Sequence, residues 1–136
     1  MILRGVAAQK RTNGLLVVKA VEAFLSDATL GPMVQSLDLS QNAGIEDSEL
    51  AYLTQALITL TRSSSKNQLS TLKALNISQI GASPSALCNF IKALPQITRF
   101  HYLDLSGNTL AFFCADALVT ALKAIESETP SSKKRR

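Results

Sequence analysis

HYLDLSGNTL, residues 101–110, repeats in outline an earlier stretch of the chain, QSLDLSQN at 35–42. The shared core is Leu-Asp-Leu-Ser-x-Asn. Aligning on it brings Val34, Leu37, Leu39 and Asn42 into register with Phe100, Leu103, Leu105 and Asn108. A third copy lies between them, with Leu72, Leu75 and Ile77 in LSTLKALNISQI (69–80). Leucines two apart predict a short strand with one buried face. The Asn stands where the chain bends away, and its amide can satisfy backbone groups that a buried bend would leave unpaired.

A helical pattern follows each of these strands. EDSELAYLTQALITL (46–60) places Leu50, Leu53, Leu57 and Leu60 on one face. SPSALCNFIKAL (83–94) offers Ser83 as N-cap and Pro84 in the first turn, with Leu87, Phe90, Ile91 and Leu94 as its stripe. Pro95 then stops that helix. The run after Leu105, to about Glu126, presents Leu118, Leu122 and Ile125. Ahead of the first clear strand, a helix over about 14–28 presents Val17, Val21, Phe24, Leu25 and Ala28.

Strand, turn and helix recurring with L-x-x-L-x-L-x-x-N fit the leucine-rich-repeat pattern. The expected fold class is α/β: a short leucine-rich-repeat solenoid, a right-handed βα coil with a parallel sheet on its concave face and α-helices on its convex face. Leu75 to Leu103 is 28 residues and Leu37 to Leu75 is 38, so a longer loop is expected around RSSSKNQLS (62–70). Leu3, Val6 and Ala8 are read as a degenerate first strand. The expected domain is 1–127, about four repeats with that degenerate first unit, followed by a disordered basic tail at 128–136. Two departures stand out. Ile80 occupies the Asn position of the third unit, predicting a distorted turn or a bound water at Ile80–Gly81. NAGI (42–45) is one residue longer than NTL (108–110), predicting a local bulge.

The strand and helix motifs together resemble those of the ribonuclease-inhibitor-like leucine-rich-repeat proteins. LNISQIGASPSALCNFIKAL followed by YLDLSGNTL is most similar to the repeat domain of the CARMIL family of actin-capping-protein regulators, over about residues 34–125. The resemblance implies a scaffold for protein–protein recognition, with no catalytic residues to carry over. That family's capping-protein-binding motif lies outside its repeats and has no match here, and the chain is short for the family. The alternative to an interaction module is therefore a fragment or capping segment of a larger repeat protein, such as a CARMIL-like cytoskeletal regulator, with a mainly structural role.

Composition bounds the remaining classes. A chain of 136 residues, 46% hydrophobic and 18% charged, suits one folded domain. Its longest apolar stretch, GLLVVKAVEAFL (14–25), is broken by Lys19 and Glu22, so no membrane span is expected. MILRGVAAQKR lacks the signal-peptide pattern and there are only two cysteines, Cys88 and Cys114, read as buried reduced thiols. An intracellular, cytoplasmic protein is the expectation, with nuclear import admitted by the basic tail. The net charge of +4 belongs to Lys133, Lys134, Arg135 and Arg136; the remaining ten basic residues balance ten acidic ones. Nucleic acid is thus disfavoured as a partner. Zinc, nucleotide and other cofactor motifs are absent, so no metal or cofactor is expected.

Residues between the inward leucines are read as a partner-binding face: Gln35, Ser36 and Asp38, then Lys73, Ala74 and Asn76, then His101, Tyr102 and Asp104. Stacked strands about 4.8 Å apart would turn them into columns, one reading Asp38, Asn76, Asp104 and another Gln35, Lys73, His101. The expected protein partner meets Gln35, Ser36, Asp38, Lys73, Asn76, His101, Tyr102 and Asp104, with His101, Tyr102 and Asp104 free of the demands of the repeat. His101 and Asp104 lie three apart on a strand, with no Ser or Cys nucleophile placed beside them, so the chain is read as a non-enzyme.

Overall fold

The computed structural model describes residues 1–5, 11–62, 71–97, 100–110 and 113–127. Four helices and a three-stranded parallel sheet alternate along the chain: α1 (Arg11–Ser26), β1 (Ser36–Asp38), α2 (Asp47–Arg62), β2 (Ala74–Asn76), α3 (Pro84–Ala93), β3 (Tyr102–Asp104) and α4 (Phe113–Ser127). Single 3-10 turns, Gly31–Met33 and Leu94–Gln96, lead toward β1 and β3, each with a proline in its opening positions, and Pro95 directly follows the end of α3.

Strand order is β1-β2-β3, with Leu37, Leu75 and Leu103 level and Asp38, Asn76 and Asp104 level. The pairing continues past each strand, Leu39 N–H to Asn76 C=O at 2.8 Å and Ile77 N–H to Asp104 C=O at 3.0 Å. In place of the expected degenerate first strand, the described N-terminal residues pair with β1 through an isolated bridge, in an earlier register than the sequence pattern indicates. Ile2 bridges Asp38, and Leu3 N–H reaches Asp38 C=O at 2.8 Å, so Leu3 sits level with Leu39. Aligning Leu3, Val6 and Ala8 with the repeat would have put Ala8 there; backbone bonding chose the earlier register. Val6 and Ala8 lie outside the described residues, as do 63–70 of the expected long loop and the whole 128–136 tail.

Leu37, Leu39, Leu75 and Ile77 are buried, with Leu50, Leu53, Leu57, Leu87, Phe90 and Ile91 packing from the helices. Val17, Val18, Val21 and Leu25 complete the core from α1. Burying one such side chain contributes about 1.5–3 kcal/mol. Ser83 caps α3 as expected, its hydroxyl accepting from Ala86 N–H at 3.2 Å. Asp47, opening α2, reaches across to accept from the Ser83 amide and hydroxyl at 2.6 and 2.8 Å, coupling the starts of two neighbouring helices.

Helix α4 departs from its expected stripe. It buries Cys114, Ala117 and Ala121, while Leu118 is only half-buried and Leu122 is 54% exposed. Small side chains let α4 lie close to α3, and the larger residues turn to the outer side, where no described element follows. Cys88 and Cys114 are buried free thiols.

The turns leaving the strands share one backbone device. Gly5, Gln41, Gln79 and Gly107, with φ of 71°, 61°, 54° and 69°, take the left-handed conformation at equivalent positions. Asn42 then donates to Leu39 C=O at 2.8 Å and to Leu3 C=O at 2.9 Å, holding its own turn and the preceding one. Asn108 does the same for Leu105 C=O and Ile77 C=O, at 3.0 and 2.9 Å. This overturns the expectation of distortion or water at Ile80. Its N–H donates to Asn108 Oδ1 at 3.0 Å and the Gly81 N–H to Ile45 C=O at 2.9 Å. One Asn serves two turns, leaving the Ile80 side chain to fill the core.

Candidate functional site: the open face of the sheet

Ser36 and Asp38, Ala74 and Asn76, and Tyr102 and Asp104 alternate with buried Leu37 and Leu75 and half-buried Leu103, and so occupy the face opposite the helices. Register aligns them as two rows, Ser36–Ala74–Tyr102 and Asp38–Asn76–Asp104. Gln35, Lys73 and His101 form a third row just before the strands, where Lys73 N–H bonds Gln35 C=O at 2.9 Å and His101 N–H bonds Lys73 C=O at 2.7 Å. All three are exposed, but their parity is that of the leucines. They line the leading rim of the sheet rather than its open face.

Asp38, Asn76 and Asp104 also close the strand exits. Ser40 donates its N–H and hydroxyl to Asp38 Oδ1 at 2.9 and 2.6 Å, and Ser106 does the same to Asp104 Oδ1 at 2.9 and 2.6 Å. Asn76 accepts from Ser78 N–H at 2.9 Å. Asp104 is therefore not free of the repeat, contrary to the reading of the sequence. One oxygen supports the turn and the other faces outward, 3.4 Å from the Tyr102 hydroxyl. His101 forms no described hydrogen bond with Asp104, and the two are not brought together.

Sequence reasoning missed Arg4. Its Nη2 donates to Asp38 Oδ2 at 2.7 Å and its Nε to Ser40 Oγ at 3.1 Å, so the first segment occupies the carboxylate that heads the row. The Asp–Ser pair of L-D-L-S signals a carboxylate held by its own turn, as at Asp38 and Asp104, but nothing in the sequence spacing points to Arg4 as its partner. Burial works to raise the Asp38 pKa, but the Ser40 hydroxyl and amide and the Arg4 guanidinium outweigh it and hold the carboxyl below its ordinary value. Asp104 is lowered too, first by the Ser106 hydroxyl and then by its amide. With Asp38 engaged, the accessible chemistry of the face lies toward β3, at Asp104 and at Tyr102, which is 58% exposed.

No family model and no curated protein matches the chain. Among solved structures, the chain is similar to Leiomodin-1 Actin-Binding Site 2, with a TM-score of 0.64 at 12% identity over 93% of this chain. It spans 64% of that structure's length. The likeness is one of fold alone, a mixed α/β arrangement. Among the described residues, no helix is long and apolar enough to cross a membrane.

Proposed function

We propose that the chain is a short leucine-rich-repeat solenoid of the ribonuclease-inhibitor-like kind, acting as a non-catalytic protein-interaction module through the open sheet face. The observation carrying this reading is the pair of level rows ending at Tyr102 and Asp104, where an exposed aromatic side chain lies beside an outward carboxylate oxygen. Aromatic residues of this sort anchor interfaces, and concave faces of repeat folds are common binding surfaces. Recurring left-handed turns, shared Asn amides and inward leucines support the repeat assignment.

Actin is the partner to test first, because the structural neighbour is an actin-binding site and the strand and helix motifs resemble those of CARMIL repeats. The assay is co-sedimentation with filaments and capture on immobilised monomers. It compares wild type with a Lys73→Glu/Tyr102→Ala/Asp104→Asn variant. Asn at 104 keeps the turn, as Asn76 does in β2. Binding by wild type and at least a tenfold loss in the variant is the expected result. Equal binding by both, or none by wild type to either form, would overturn the reading.

A further inference from the structure

The two edges of the described sheet carry matching halves of one step. Between neighbouring strands the step is constant: Leu39 and Gln41 N–H bond Asn76 and Ser78 C=O, and Ile77 and Gln79 N–H bond Asp104 and Ser106 C=O. Beyond β3 no described strand follows, so Leu105 N–H and Gly107 N–H, the counterparts of those amides, face outward along with Leu103 C=O. At the opposite edge, Leu3 N–H, Gly5 N–H and Met1 C=O are used inward by bonds with Asp38 and Ser40. Alternation therefore turns Ile2 N–H, Ile2 C=O and Arg4 C=O outward. The outward set of one edge is the complement of the other in the same parallel register.

Side chains match as well. The N-terminal segment carries Arg4, in the turn after the Ile2 bridge, already shown to fit an Asp–Ser pair two residues apart. The β3 edge presents the same pair, Asp104 and Ser106, with the same oxygen held by the serine and the other meeting only the Tyr102 hydroxyl, at 3.4 Å. Arg4 spends Nε and one Nη2 bond on its own neighbours, and a guanidinium has five N–H donors. In the helix layer, α4 leaves Val119 and Leu122 exposed by 51% and 54%, and α1 leaves Leu15 and Leu16 exposed by 39% and 64%. Lys19 lies exposed on α1 and Asp116 on α4.

We infer that a second copy of this chain docks head to tail, its extended Met1–Leu3 segment pairing in parallel with β3, its Arg4 reaching Asp104 and its α1 covering Val119 and Leu122. This contact goes beyond the partner-binding reading and does not depend on it. An interface made from two different patches leaves one of each unused in a dimer, so association continues beyond a dimer to a ring or an open filament.

Sedimentation velocity over a wide concentration range tests it, with Leu16→Glu blocking one end and Leu122→Glu the other. Both positions are exposed, and circular dichroism checks that each variant folds. Wild type should show a mass rising past the dimer. Each single variant should be monomeric or nearly so, and their equimolar mixture should form a dimer and stop there, since only one pair of intact ends remains. Asp104→Asn should weaken wild-type association several-fold and flatten its salt dependence. A wild type that is monomeric throughout, a mixture that does not associate, or an association indifferent to Asp104→Asn would overturn the proposal.

Discussion

Replacing Asn108 with Ala removes three side-chain bonds, to Ile80 N–H, Ile77 C=O and Leu105 C=O. A buried group left without its partner costs about 1–3 kcal/mol. The site is part-buried, so water restores some of the loss, and the total should be about 3 kcal/mol. Against a domain stability of about 5–15 kcal/mol that is a large fraction. The chain has no tryptophan, so urea unfolding is best followed by far-ultraviolet circular dichroism. A local readout accompanies the global one. The Ile80 amide, 28 residues away in sequence, should lose protection from hydrogen exchange, whereas the Gly81 amide, held by Ile45 C=O, should keep more of its own. Asn108→Asp should retain the Ile80 bond but lose both donors, falling between wild type and Ala. A cost below about 1 kcal/mol, or an unchanged Ile80 amide, would refute the idea that one side chain holds two turns.

Gln41→Gly should stabilise the fold by about 0.5–1 kcal/mol in urea unfolding, since a left-handed L-residue is strained and Gly is not. Gly81→Ala should destabilise by more than about 2 kcal/mol, because an added Cβ would fall 2.0 Å from Ala43 C=O. Asp38, Asp47 and Asp104 all have carboxyl pKa values below the ordinary 3.8. Their stabilisation is complete above the unfolded value and is lost as pH falls through the lower folded one, so unfolding midpoints should hold steady above about pH 5 and drop below about pH 4. An Asp47→Asn variant should show a shallower acid drop. An unchanged acid profile would count against the Asp47–Ser83 tie.

The sequence by itself determined the alternation of parallel strands with helices and most of the inward residues between them. Leucine spacing dictates which faces are buried wherever a strand or helix is sandwiched between neighbours, so β1, β2, α2 and α3 were legible. Ser83 and Pro84 were legible too, because capping is local chemistry. At the β3–α4 end that logic lapses. Nothing described covers β3 and α4 from outside, so hydrophobicity no longer specifies orientation, and α4 turned small residues inward and Leu122 outward. The register of the N-terminal segment was set by pairing with β1, which a degenerate pattern does not encode. The site divided the same way. Level rows of open-face side chains follow from strand alternation and equal register. Only tertiary structure brought Arg4 to Asp38 across 34 positions and Asn108 to the turn at Ile80 across 28, because such bonds join neighbours in space that sequence spacing does not relate.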